Sequence, residues 1–82
     1  MYQTIDDRIK VIGISGSGKF VPKKFLWKAK TYSVEQITLE TNVKDGGRRL
    51  RWYSVVVAGT VYRLCFDRDN EQWLLHQVWF EG

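Results

Sequence analysis

An all-β fold is predicted by three observations. Apolar residues alternate with polar ones at a period of two through the second half of the chain, tight-turn signals separate these runs, and no stretch carries a helical apolar stripe of useful length. The 82 residues suffice for one domain, read here as a single β unit over 1–82, and a chain this short hides only about 60–65% of its unfolded surface. Four each of Trp, Tyr and Phe supply the dense core such a chain needs, since each ring can bury on the order of 150–250 Å².

The first strand is expected over Ile5–Ile14, where Ile5, Ile9 and Val11 share one parity and Arg8 and Lys10 the other. Ser15-Gly16-Ser17-Gly18 reads as a turn or loop, and Pro22 discourages a sheet interior, so Ser15–Lys24 is the one linker candidate. Phe25, Trp27 and Ala29 then alternate with Lys24, Lys28 and Lys30, the pattern of a strand with one buried face. Leu26 is the exception.

A reversal near Ala29-Lys30 brings Tyr32 and Val34 inward. Ile37 and Leu39 carry the opposite parity, which calls for a bulge near Glu35 and Gln36 if they are to stay on the inner face. Asp45-Gly46-Gly47 is the strongest hairpin signal, because these residues accept the positive φ angles such turns require. A long strand over Arg48–Val57 places Tyr53, Val55 and Val57 on one face and Leu50, Trp52, Ser54 and Val56 on the other. After Ala58-Gly59, Tyr62, Leu64 and Phe66 alternate. After Asp67–Asn70, Trp73, Leu75, Gln77 and Trp79 alternate, and Trp79 and Phe80 cannot both face one core. These elements make an antiparallel meander of five or six strands, which buries its apolar face by curling into an open barrel about the size of an SH3 domain. Trp27 and Tyr62 are the expected core rings.

Chemistry-bearing motifs are few. Gly13-Ile14-Ser15-Gly16-Ser17-Gly18-Lys19 approaches a phosphate-binding loop, but Phe20 stands where a magnesium-binding Ser or Thr is needed and extended chain replaces the required helix. Cys65 and His76 are single residues of their kinds, too few for a zinc site, although pairing about Asp69-Asn70 makes them neighbours on adjacent strands. Asp67, Asp69 and Glu71 are spaced like calcium ligands, yet Gln72 occupies the obligatory glycine position and the distal carboxylate is missing. No cofactor or metal is expected, and no enzymatic activity.

Charge is more informative. The formal net charge is +4, and the run from Arg8 to Val34 holds Arg8, Lys10, Lys19, Lys23, Lys24, Lys28 and Lys30 with no acidic residue. Lys44, Arg48, Arg49 and Arg51 form a second cluster. Aromatic rings among basic residues are what a single-stranded nucleic acid requires, so Lys23, Lys24, Lys28, Lys30, Arg49, Arg51 and Trp52 are the candidate nucleic-acid-binding residues. The alternative is a protein-interaction domain that offers a strand edge or an aromatic patch around Trp52 and Trp79. Without a leader-like start or an apolar run near 20 residues, a cytoplasmic, non-membrane protein is expected.

Phe25-Leu26-Trp27, Tyr32-Ser33-Val34, Trp52-Tyr53-Ser54-Val55, Gly59 with Tyr62 and Leu64, Asp67, and Trp73-Leu74-Leu75 with Val78 together resemble a family of small bacterial β domains of unknown function. Some members are appended to proteins related to lesion-bypass DNA polymerases. The resemblance spans residues 22–80, with Ala29 where a glycine is typical. It implies a role near DNA metabolism and carries over no catalytic residue.

Overall fold

A computed structural model describes residues 1–79; the orientation of Phe80 lies outside the described residues. The chain forms seven strands: β1 (Tyr2–Gly16), β2 (Lys19–Trp27), β3 (Lys30–Ser33), β4 (Gln36–Asp45), β5 (Arg48–Val57), β6 (Thr60–Asp67) and β7 (Gln72–Trp79). All belong to one antiparallel sheet in the order β3-β2-β1-β7-β6-β5-β4. The all-β, antiparallel expectation holds, with seven strands in place of five or six and a sheet that is not closed. The order is that of a meander cut between β3 and β4 and joined by pairing between β1 and β7.

Curling is visible in the ring contacts. Tyr32, on edge strand β3, lies 5.5 Å from Tyr62 on β6, four strands away in the sheet, and Phe25 sits between them, 4.9 Å from Tyr32 and 5.4 Å from Tyr62. The fully buried core comprises Phe25, Tyr53, Val55, Leu64, Leu75 and Val78. Trp27 and Tyr62, the rings expected there, are only partly buried and pack against it. Burial, then the neighbouring Tyr32, raises the Tyr62 hydroxyl above its usual pKa.

Four hairpins turn in two residues, each with both φ angles positive: Ser17-Gly18, Lys28-Ala29, Gly46-Gly47 and Ala58-Gly59. Such turns match the right-handed twist of the flanking strands. The strand directions put the Ser17-Gly18 and Gly46-Gly47 tips and the Arg68–Glu71 loop at one end of the barrel. Lys28-Ala29 and Ala58-Gly59 lie at the other.

Ser15–Lys24 is a hairpin and strand, not a linker. Pro22 is tolerated in β2 because β3 pairs only with Lys24–Trp27, which leaves the first half of β2 as a sheet edge where a missing N–H costs nothing. Lys23 is an extra residue in the β1–β2 ladder, since Ile12 pairs with Lys24 and Gly13 with Pro22. That bulge lets Phe20 and Pro22 face inward on one parity and Phe25 on the other. Gly13 is glycine because a Cβ there would collide with the Val21 carbonyl and the Phe20 ring, so the phosphate-loop likeness arises from packing and a turn.

The bulge expected near Glu35 and Gln36 falls instead at Thr38, between the pairs Ile37↔Val55 and Leu39↔Ser54. Ile37 packs on the core while Leu39 remains 40% exposed. Glu35 has a different task. Its N–H donates to the Val56 carbonyl (2.9 Å), its carboxylate accepts from the Ala58 N–H (2.7 Å), and the preceding Val34 N–H donates to the Lys23 carbonyl (2.8 Å).

Lys28 and Ala29 hold φ of 50° and 60°, a region that costs a residue with a Cβ about 1–2 kcal/mol. Ala29→Gly is therefore expected to raise stability by about 0.5–1 kcal/mol after the greater unfolded-state freedom of glycine is deducted. Urea denaturation checks this. A midpoint lowered by the substitution contradicts the turn geometry.

Candidate nucleic-acid interface

The curl distributes the sequence-derived site residues over different surfaces. Lys24 is exposed on the outer face of β2, opposite Ile12. Lys23 is exposed at the bulge. Lys28 is not on the outward face of the same strand as Lys24: it occupies the turn, its ammonium 5.1 Å from the Trp27 ring centre. Lys30 opens β3 opposite Trp27, on the parity of Tyr32, with its ammonium 5.4 Å from that ring. The turn geometry thus breaks the alternation that the three lysines show in the sequence.

Arg49 and Arg51 belong to the other end. Asp69 holds Arg49, accepting from its backbone N–H (3.1 Å), Nε (2.9 Å) and Nη2 (2.7 Å). Arg51 donates from Nε to the Asn42 Oδ1 at 3.0 Å. Trp52 lies on the outer face of β5, half-buried in a stack. Its ring is 5.6 Å from that of His76, and the Arg63 guanidinium sits 5.2 Å from Trp52 and 5.0 Å from Tyr2. Tyr2 in turn meets Trp79 edge-on at 4.9 Å. Trp52 and Trp79 therefore serve a second, outer layer of packing, and neither accompanies the lysines.

Cys65 and His76 do border one outer-face cavity, with Trp52 and Leu74. His76 Nδ1 is 2.7 Å from Asp6 Oδ1, whereas burial pushes the Cys65 thiol above its usual pKa, partly offset by its hydrogen bond with Trp52. Burial thus disfavours the thiolate form of Cys65. Among the described residues no group of three His, Cys, Asp or Glu is placed to hold a metal, and no helix is long and apolar enough to cross a membrane.

What converges instead is a basic wing. The acid-free run Arg8–Val34 folds into three adjacent strands, the last part of β1 with β2 and β3. On the outer face, Arg8, Lys10, Ile12 and Ile14 project from β1 and Lys24 from β2, all exposed, with Lys10 and Lys24 diagonal neighbours across the ladder. Arg8, Lys10, Lys23 and Lys24 have no ion pair among the described residues. Ile12, opposite Lys24, and Ile14, one step nearer the hairpin tip, are 49% and 61% exposed. Arg8 and Lys10 were visible as basic residues in the sequence, but only the pairing with β2 sets Lys10 beside Lys24.

A second feature, absent from the sequence reading, is the barrel mouth. Phe20, Tyr53, Phe66 and Trp73 point inward at the end carrying the Arg68–Glu71 loop and, with Arg51 and Glu71, line a cavity of about 350 Å³. Each wall comes from a different strand, so no local motif announces it.

The rim loop is set by Asp67. Its carboxylate accepts from the N–H groups of Asp69 (3.0 Å) and Asn70 (3.2 Å) and from Asn70 Nδ2 (3.1 Å), and lies 3.5 Å from Arg48 Nη2. The Asn70 side-chain bond is the main cause of a pKa below the usual carboxylate value, followed by the Asn70 N–H; the Arg49 guanidinium does the same for Asp69. A depressed folded-state pKa stabilises above the unfolded value near 3.9 and is lost as pH falls through the folded value. Asp67→Asn is thus expected to destabilise the protein at pH 7, with the difference shrinking below about pH 4. Urea midpoints for both proteins at pH 7 and pH 3 check this. A gap that stays constant across that range contradicts the assignment.

No family model, curated protein or solved structure matches the chain.

Proposed function

We propose that the protein is a non-enzymatic binding module that contacts nucleic acid through the outer face of β1 and β2. The observation that carries this is the acid-free wing, where Arg8, Lys10, Lys23 and Lys24 stand exposed and unpaired among the described residues. Cations free of carboxylate partners can meet phosphates without first breaking an ion pair, and their field steers a polyanion to that side. Arg49, held by Asp69, and Trp52, held in the outer stack, are structural on this reading.

A protein partner is the second reading, favoured by β4. Its ten residues form a sheet edge with one row of unpaired backbone groups and an exposed Leu39. Strand addition uses such an edge.

Titration of labelled single- and double-stranded oligonucleotides at two salt concentrations separates the two. Lys10, Lys23 and Lys24 changed together to Glu are expected to keep the β-sheet circular dichroism, weaken binding strongly and reduce the slope of log affinity on log salt by roughly 2–3, since each phosphate contact contributes about 0.7–0.9. Absence of wild-type binding at low salt overturns the nucleic-acid reading and leaves β4.

A further inference from the structure

We propose that the barrel mouth receives one unpaired base from the nucleic acid bound on the basic wing, and that it prefers guanine. This rests on the reading above and names what a second, adjoining surface adds to it.

The mouth is built for a flat apolar body. Trp73 stands at its centre, with Phe20, Phe66 and Tyr53 at 5.8, 4.9 and 5.4 Å and tilted 45°, 41° and 36° to it rather than stacked upon it. At about 350 Å³ the cavity falls near the lower end of small-molecule pockets, roughly 300–1,000 Å³, a size suited to a single base rather than to a folded element. Phe20, Phe66 and Trp73 are partly exposed over the buried Tyr53, and a stacked base removes that apolar exposure whatever its identity.

The mouth is also reachable. β3 leaves the first half of β2 uncovered, and across that seam the β4 edge is tied to it by an ion pair, Lys19 Nζ to Glu40 Oε2 at 3.8 Å, so entry is from the end that carries the Arg68–Glu71 loop. On the other side, Trp73 and Glu71 form a shared wall: they line both the mouth and a groove flanked by Arg8 and Lys10. A strand whose phosphates lie along Arg8 and Lys10 therefore passes the rim, within reach of the rings.

Two polar groups set the preference. Arg51 spends its Nε on Asn42, which leaves its terminal amino groups to donate. Glu71 is exposed at the rim and has no hydrogen-bond partner among the described residues. Guanine carries acceptors at O6 and N7 for a guanidinium and N–H donors at N1 and N2 for a carboxylate. Adenine presents an amino donor where guanine has O6, and so faces Arg51 with the wrong polarity. The same Arg51 disfavours a methylated ammonium group, which the aromatic walls alone would suit. Glu71 also sits at φ 54°, where glycine or asparagine is more comfortable. A residue held against backbone preference, at the rim of the cavity and unpaired, points to a use outside the fold.

The test uses the intact protein and decathymidine probes carrying a single central guanine, adenine or no substitution, with a trimethyllysine peptide as a further arm. The guanine probe is expected to bind about tenfold tighter than the others, within the range a bidentate base contact provides. Glu71→Gly is expected to raise the melting temperature and to bring the ratio of guanine-probe to thymidine-probe affinity down to about one, a split that a purely structural residue does not give. Equal binding of all three probes overturns the base-insertion inference while sparing the wing. Loss of guanine preference in the Lys10, Lys23 and Lys24 variant, at unchanged thymidine affinity, overturns it too, because the two surfaces would then be assigned the wrong roles. Binding of the peptide in preference to every oligonucleotide overturns both, as does binding of no probe.

Discussion

Everything in this molecule follows from the need of one sheet to bury its apolar face against itself. With no helix to cover that face among the described residues, Phe25, Tyr53, Leu64 and Leu75 leave water only if strands distant in the sheet order meet. The two free edges are therefore brought close, and they are consecutive in the chain. Val34 and Glu35 make the join: one N–H reaches back to Lys23 on β2, the other to Val56 on β5, and the Glu35 carboxylate caps Ala58 at the next turn. Three hydrogen bonds around a two-residue link hold near each other the two edges of a seven-stranded sheet that does not close.

The clamp acts at one end only, and this asymmetry determines where chemistry is placed. At the Glu35 end the aromatic interior is sealed by Trp27, Tyr32 and Tyr62, and Trp27 Nε1 donates to Asp7 at 2.8 Å. At the far end β3 has already stopped, only side chains such as the Lys19–Glu40 ion pair span β2 and β4, and rings of the same interior line an open cavity. The inward face is thus core at one end and surface at the other. The outer face divides too: over β5 to β7 it is filled by the Trp52, His76 and Arg63 stack, and over β1 and β2 it carries lysines and isoleucines that no other described residue covers.

Much of this was legible in the residues. Alternation in Arg48–Val57 and Tyr62–Phe66 fixed two neighbouring strands and their inner faces, and Gly46-Gly47 and Gly59 marked two hairpins; in β7 it held only for Trp73 and Leu75, because the extra residue His76 turns Val78 into the core and sends Gln77 and Trp79 to the outer face. The first half of β2 was not legible, because the Lys23 bulge changes parity between Pro22 and Phe25 and because Pro22 is acceptable only on an edge that tertiary structure creates. Lys24, Lys28 and Lys30 alternate as a strand does, yet two residues of positive φ interrupt them. The mouth was hidden for a different reason. Phe20, Arg51 and Phe66 are 31 and 15 positions apart in the chain, and although Phe66 and Trp73 pair across one hairpin, each residue alone reads as core or surface. Arg51 was singled out by its charge, but with Trp52 as its companion, a residue that the pleat sends to the opposite face.

On the proposed reading, the basic wing and the adjoining mouth form one continuous surface for a single strand. Backbone amide chemical shifts of the labelled protein, followed as a short single-stranded oligonucleotide is added, test it residue by residue. The result expected is a connected set of shifts running from Arg8, Lys10 and Lys24 through Glu71 and Trp73 to Phe20 and Arg51, with the Trp52 and Arg63 stack and the β4 edge unchanged. Shifts confined to β4 or to the outer stack would contradict it.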